Sequence, residues 1–324
     1  MDKPEKHEDE KTVREKGSRP YRGRKPAFRS GFVSVLGRPN AGKSTLINAL
    51  AGTKVAIVSP KPQTTRMSLQ AVVNRPNAQI IFIDTPGIHA DFSSQQASLL
   101  HGRMMEAVRS AARDQDLLIW LADATLPFEQ SSQGLEIIKH QATPALLVAN
   151  KIDRLSSKQM MLPLLERYRE AHNFAEYIPV SALTGEGLPE LEKAILARLP
   201  KGPKFFPEDQ LTDAPERFLV AEAIREQILL STGQEVPHHT AIVIEQWEET
   251  PKLLRIGAAI HVERSGQKRI IIGSGGSMLK QIGSATRAEL EARYGKKVFL
   301  ELFVKVQPGW RESASFLAEL DWRS

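Results

Sequence analysis

Residues 37–45 read Gly-Arg-Pro-Asn-Ala-Gly-Lys-Ser-Thr, a stretch whose residue types suit the holding of phosphate. Its glycines permit a turn tight enough to aim several backbone N–H groups at a triphosphate. Gly37, Arg38, Pro39, Asn40, Ala41, Gly42, Lys43, Ser44 and Thr45 form the expected cradle. Within it the Lys43 ammonium would reach the outer oxygens and the Ser44 hydroxyl would ligate magnesium. An apolar run, Phe32 to Leu36, precedes the loop, and a helical stretch, Leu46 to Leu50, follows it. Strand, glycine turn and helix in that order predict a nucleoside triphosphate site, in which Lys43 serves catalysis as well as binding.

Two further segments supply what such a site needs. Ile80-Ile81-Phe82-Ile83 reads as a buried strand and runs into Asp84-Thr85-Pro86-Gly87. Asp84, at the strand's carboxyl end, can hold the magnesium through water. Gly87 lets its N–H swing toward the γ-phosphate, and Thr85 and Pro86 complete the phosphate-side loop. Such contacts order flanking loops with triphosphate and release them after hydrolysis. In a loop marked by Pro60 and Pro62, one hydroxyl of the Thr64-Thr65 pair could close the magnesium shell, and Thr65 is the preferred candidate.

The base is addressed by Asn150-Lys151-Ile152-Asp153, directly after the apolar run Ala145 to Ala149. An ionised carboxylate only accepts hydrogen bonds. Guanine offers two adjacent donors, whereas adenine has an acceptor there and no such amine, so Asp153 favours GTP. A polar mismatch of this kind discriminates by about 10⁴ or more in favourable sites. Asn150 would brace the loop and the base, and the Lys151 stem would cover one face of the ring. Ser181-Ala182-Leu183 follows a short apolar strand, and its backbone N–H groups are expected to meet the guanine carbonyl.

The chain has 324 residues, room for two domains with separate cores. No apolar run approaches the ~18 residues of a membrane span. Asp2, Glu5, Glu8, Asp9 and Glu10 argue against a mitochondrial transit peptide, and no secretory signal is recognised. Cysteine is absent, which excludes disulfide partners, thiol catalysis and thiolate metal sites. A cytoplasmic protein is expected. The net charge of +6 is partly local, because Lys11 to Arg29 carries eight Lys or Arg against Glu15 alone. With scarcely any apolar residues, that segment reads as a disordered basic arm. It would either touch RNA phosphates in a salt-dependent way or act only as a solubilising tail.

A Pro-rich stretch from Pro200 through Pro203 and Pro207 to Pro215 marks a boundary. Beyond it the sequence predicts a helix over Glu216 to Ser231, strands over Thr240 to Trp247 and Leu253 to Val262, and a third strand over Lys268 to Ile272. Gly273-Ser274-Gly275-Gly276 follows, then a helix from about Ser277 and a last strand, Val298 to Val306. The expected organisation is a basic arm (1–29), a nucleotide domain (30–200), a linker (201–215), a second domain (216–310) and a tail (311–324). The glycine loop lacks a Lys-Ser/Thr pair, which argues against nucleotide chemistry.

The motifs over residues 31–199 resemble those of the translation-factor-related GTPases. Beyond them, Gly273-Ser274-Gly275-Gly276 matches the loop by which KH modules clamp about four nucleotides of single-stranded nucleic acid. The resemblance implies the type II KH arrangement, helix–strand–strand–helix–helix–strand, with Lys280 beside the loop. Ser274 stands where a basic residue is common. An Era/TrmE-type GTPase domain followed by a type II KH domain resembles the Era family of bacterial GTPases, over about residues 31–310. The resemblance implies an α/β P-loop domain with a mostly parallel sheet and helices on both faces, plus an α+β type II KH domain. It implies a GTP-hydrolysing, magnesium-dependent switch that binds 16S ribosomal RNA near its 3′ end and assists small-subunit assembly, with no DNA partner. Cytoplasmic location with peripheral inner-membrane association follows from kinship alone.

Many small GTPases carry a water-orienting glutamine after the equivalent of Gly87, but this chain has Ile88. Catalysis must then come from magnesium, Lys43, loop amides, a partner or a monovalent cation. Asn40 matches the asparagine that helps hold potassium in cation-activated relatives. His89 is read as a loop residue without a duty, and slow intrinsic turnover is expected, near ~10⁻⁴–10⁻³ s⁻¹ for unassisted sites of this kind. Two other roles compete with the switch: an RNA scaffold whose nucleotide serves only stability, and a tRNA-modifying GTPase, for which this chain lacks the modification domain or reactive cysteine.

Overall fold

The computed structural model describes Met1 and residues 27–88, 98–233 and 236–323. Most of the basic arm and His89 lie outside the described residues. In chain order the first domain runs β1 (Arg29–Leu36), α1 (Lys43–Ala51), β2 (Leu69–Arg75), β3 (Ala78–Asp84), α2 (Leu99–Ala111), β4 (Leu117–Asp123), α3 (Phe128–Ser131), α4 (Glu136–Lys139), β5 (Ala145–Asn150), α5 (Leu162–Ala171), β6 (Glu176–Pro179) and α6 (Leu188–Arg198). Among the described residues these strands form one six-stranded sheet in the order β2-β3-β1-β4-β5-β6. Only the edge strand β2 is antiparallel.

Strands buried on both faces need near-continuous apolar sequence, and Leu117 to Asp123 is buried throughout. One core, around Val33, Leu46 and Phe82, fills one side of the sheet. A second, around Leu36, Trp120 and Tyr168, fills the other. The order reverses about β1, flanked by β3 and β4, so the loop after β1 opens at the crevice where open α/β sheets take ligands.

The second domain comprises α7 (Glu216–Ser231), β7 (Thr240–Glu249), β8 (Leu253–Val262), α8 (Ser265–Ile272), α9 (Ser277–Tyr294) and β9 (Lys297–Val306), followed by α10 (Ala314–Leu320). Its sheet, β7-β8-β9, pairs β7 and β8 antiparallel and β8 and β9 parallel. Residues 268–272, expected as a strand, are helical instead. The run of three isoleucines suggested a buried strand, yet Ile271 is buried while Ile270 is 49% exposed. The Gln267 side chain accepts from the amides of Glu263 and Arg264, at 3.0 and 2.9 Å, and so stabilises a helix start there. The glycine loop therefore joins two helices rather than a strand and a helix.

Two segments read as linker and tail are packed structure. Residues 201–215 form a strap on the first domain: the Leu211 carbonyl accepts from Val72 N at 2.8 Å, and Phe205 stacks against Phe32 with centroids 4.9 Å apart. Near the C-terminus, Trp310, Phe316 and Leu317 are buried against Leu100 and Met104 of α2 and Ala241 of β7. Apolar spacing in so short a helix gave no sign of which surface it would cover. Among the described residues no helix is long and apolar enough to cross a membrane.

Candidate functional site

The helix α1 begins directly at Lys43, because Gly42 adopts φ 99° and turns the chain out of β1. A Cβ at Gly42 would stand 2.4 Å from Asn150 Nδ2, so only glycine fits. The Lys43 Nζ donates to the carbonyls of Gly37 and Arg38, at 3.1 and 2.9 Å. Burial pushes its ammonium down to about 8, although the Asp84 carboxylate opposes this. A cation whose hydrogen bonds go only to carbonyls of a buried loop is poised to take phosphate oxygens in their place. Thr45 and Pro39 line the same cleft, and Gly87 packs so near Pro39 that a Cβ there would lie 2.6 Å from its Cα.

Three oxygen side chains meet beside Lys43. Ser44 Oγ donates to Asp84 Oδ2 at 2.7 Å, Thr65 Oγ1 donates to the same oxygen at 3.1 Å, and the two hydroxyls lie 3.1 Å apart. Asp84 is fully buried, and burial raises its pKa against the opposing pull of Ser44, Lys43 and Thr65. Its Oδ1 has no hydrogen-bond partner. An orphaned carboxylate oxygen beside two hydroxyls fits a small hard cation that keeps several waters, as magnesium does. The Thr64 hydroxyl instead donates to the Lys61 carbonyl at 2.7 Å, so the geometry favours Thr65. Thr85 braces β1 by donating to the Val35 carbonyl at 2.7 Å.

The base side is built from the ends of β5 and β6. Asn150, nearly fully buried, donates to Ala41 O at 2.7 Å and accepts from Ala182 N at 2.9 Å, tying the phosphate loop to the base loop. Asp153 is exposed, and its Oδ1 accepts from Ser181 Oγ at 2.6 Å, leaving Oδ2 for a ligand. The amides of Ser181 and Ala182 are engaged, the former by Glu186 O at 2.9 Å. Of the three amides expected to face the guanine carbonyl, that of exposed Leu183 has the most open surroundings.

Sequence reasoning missed Asp123, whose Oδ2 lies 2.6 Å from Lys151 Nζ and fixes that stem beside the base site. The signal was present, since Leu117 to Asp123 is a buried strand ending in aspartate like Ile80 to Asp84. Ile88 is buried in the core, packed close against Gly134. Asn40, in the left-handed region at φ 61°, donates from Nδ2 to Pro60 O at 2.8 Å.

In the second domain, Gly273, Ser274, Gly275 and Gly276 form an irregular turn at the N-terminus of α9, with Ser274, Gly275 and Lys280 exposed. The turn leads into an 18-residue helix, and the N-terminus of such a helix favours phosphate.

Comparison with known proteins agrees with this geometry. Residues 32–151 match the family of 50S ribosome-binding GTPases, and residues 235–311 match the KH domain. The chain is 47% identical over 298 residues to GTPase Era of Geobacter metallireducens, covering 91% of this chain and 98% of that protein. It is 44% identical to GTPase Era of a Nostoc species, covering 92% and 91% of the two chains. Two solved structures superpose with a TM-score of 0.85 at 41% identity: an Aquifex aeolicus Era variant bound to GDP·AlF4⁻, and Era with MgGDPNP and nucleotides 1506–1542 of 16S ribosomal RNA. They cover 90% of this chain and 99% and 98% of theirs. With the phosphate loop, the oxygen cluster, the base-side carboxylate and the glycine turn each in place, the chain belongs to the Era family of GTPases.

Proposed function

We propose that this protein is a cytoplasmic, magnesium-dependent GTP switch that grips 16S ribosomal RNA near its 3′ end through the turn before α9 and so assists small-subunit assembly. One observation carries the coupling: the loop bearing Thr65 touches the magnesium-type cluster on one side and α7 of the KH domain on the other. Magnesium, when bound, would be held by Ser44, Thr65 and Asp84 and would offset phosphate charge. Lys43 binds and neutralises the outer phosphates, while Asn150 and Asp153 orient the base.

The test is RNA affinity of the full chain for a 16S 3′-end fragment with a GTP analogue and with GDP. A difference of about 5- to 150-fold is expected, and equal affinities would overturn the switch. Gly276→Asp should weaken RNA binding about tenfold by setting a carboxylate at the helix N-terminus, with GTP affinity unchanged. Gly273→Asp is a poorer probe, because its Cβ would stand 2.8 Å from Met278 N. If Gly276→Asp binds RNA normally, the turn is not the clamp.

Asn40 supports a further element of this reading, a potassium ion beside the phosphates. Its amide nitrogen is spent on Pro60, which leaves the side-chain oxygen as an acceptor. Hydrolysis should run roughly tenfold faster in potassium than in sodium, as added fixed charge near the transition state would give. Equal rates in the two salts remove the ion from the mechanism.

A further inference from the structure

The loop between α1 and β2 is held by the KH domain on both sides of Thr65. On the preceding side, Arg225 of α7 donates from Nη1 to Gln63 O at 3.2 Å and from Nη2 to Thr64 O. On the following side, Arg66 reaches the other way. Its Nη1 donates to Thr240 O at 2.6 Å, and its Nη2 donates to Pro237 O and His238 O at 2.8 and 3.1 Å. The Arg66 guanidinium also lies 5.7 Å from the Trp310 ring centroid. The single residue between these grips is the one whose hydroxyl meets Ser44 and Asp84.

We infer that Arg225 and Arg66 form a reciprocal clamp by which the KH domain positions Thr65 for the triphosphate state. This rests on the assignment of Thr65 as a magnesium-holding residue. The clamp suits arginine, since a planar fork can hold two carbonyls at once where an ammonium is a point charge. Arg225 is itself fixed, 3% exposed and paired with Glu222 through Nε–Oε1 at 2.7 Å and Nη2–Oε2 at 2.5 Å. Restraining the backbone carbonyls of residues 63 and 64 leaves the Thr65 hydroxyl little freedom to leave the cluster while the KH domain stays docked. Movement of α7 would carry those carbonyls with it and withdraw the hydroxyl. Arg225 touches no reacting atom; it is a positioning residue.

The experiment compares wild type, Thr65→Ala, Arg225→Met and Arg225→Lys as full chains, reading the magnesium concentration for half-maximal GTP hydrolysis and the affinities for GDP and nucleotide-free RNA. Thr65→Ala and Arg225→Met should both raise the magnesium requirement about tenfold, as expected for loss of charge-assisted hydrogen bonds, with GDP affinity unchanged. Arg225→Lys should fall between wild type and Arg225→Met. A shifted Thr65→Ala beside a wild-type Arg225→Met overturns the clamp alone. An unshifted Thr65→Ala overturns the Thr65 assignment and the clamp with it. Should Arg225→Met lose RNA and GDP binding together, as an unfolded chain would, Arg225→Lys decides: an intermediate shift supports the clamp and a wild-type requirement overturns it.

Discussion

Asp153→Asn should lower affinity for guanine nucleotides by at least about 10³ and turn the preference toward xanthine nucleotides, because a site built on donor–acceptor matching rejects a mismatch by about 10⁴–10⁵. Asp153 is free to do this because its two oxygens have separate duties. Oδ1 accepts from Ser181 Oγ at 2.6 Å, which sets the carboxylate plane, and Oδ2 remains for the two guanine donors. Asparagine keeps an oxygen for Ser181 and presents an amide –NH₂ to the base. Guanine then meets donor with donor, while xanthine offers a carbonyl where guanine carries its amine. Competition of GDP and xanthosine diphosphate against a fluorescent guanine nucleotide measures the exchange. An unchanged preference would show that the base is read elsewhere.

Removing the Lys43 ammonium should cost about 10²–10³ in GTP affinity, the scale of breaking a buried charge pair. Lys43 is 6% exposed and has only the carbonyls of Gly37 and Arg38 to satisfy it in the free loop. A triphosphate adds opposite charge at the loop itself, beyond that of the Asp84 carboxylate nearby. In Lys43→Ala the RNA affinity should no longer respond to GTP. If RNA binding and ribosome assembly survive that change intact, the nucleotide is a stabiliser and the protein a scaffold. The wild-type residue also gives a pH signature. Burial has pushed its pKa down to about 8, so the free loop loses the proton as pH rises past 8, whereas bound phosphates retain it. Affinity should be level below pH 8 and fall above it, by up to about tenfold per unit. Titration of wild type across pH 7–9 reads the effect, and Lys43→Ala should lack this component.

The two cores show why some of the molecule was legible beforehand. Phosphate chemistry demands particular residues at fixed offsets within one contiguous segment, so Gly37 to Thr45 announces itself wherever it occurs. The same holds for Asp84, at the carboxyl end of an apolar strand, and for Asp153, in the turn just past another. Helix α7 was also legible to the residue, since its apolar spacing at Val220, Ile224 and Ile228 and its flanking Pro215 are local signals. Local signals failed at Ile270 to Ile272, where β-branched residues suit a strand but a side-chain cap and a neighbouring core impose a helix.

By itself, then, the sequence determined the chemistry: the motifs of a GTPase, and a glycine turn that follows in a second domain. Tertiary structure alone decided which threonine faces the magnesium-type cluster, that residues 201–215 lie as a strap, and that α10 seals the two domains together. It alone brought Arg225 onto Gln63 and Thr64, residues 162 and 161 positions away in the chain. Contacts to backbone carbonyls leave no trace in residue type, because every residue offers the same acceptor, and only the packed fold selects which ones meet.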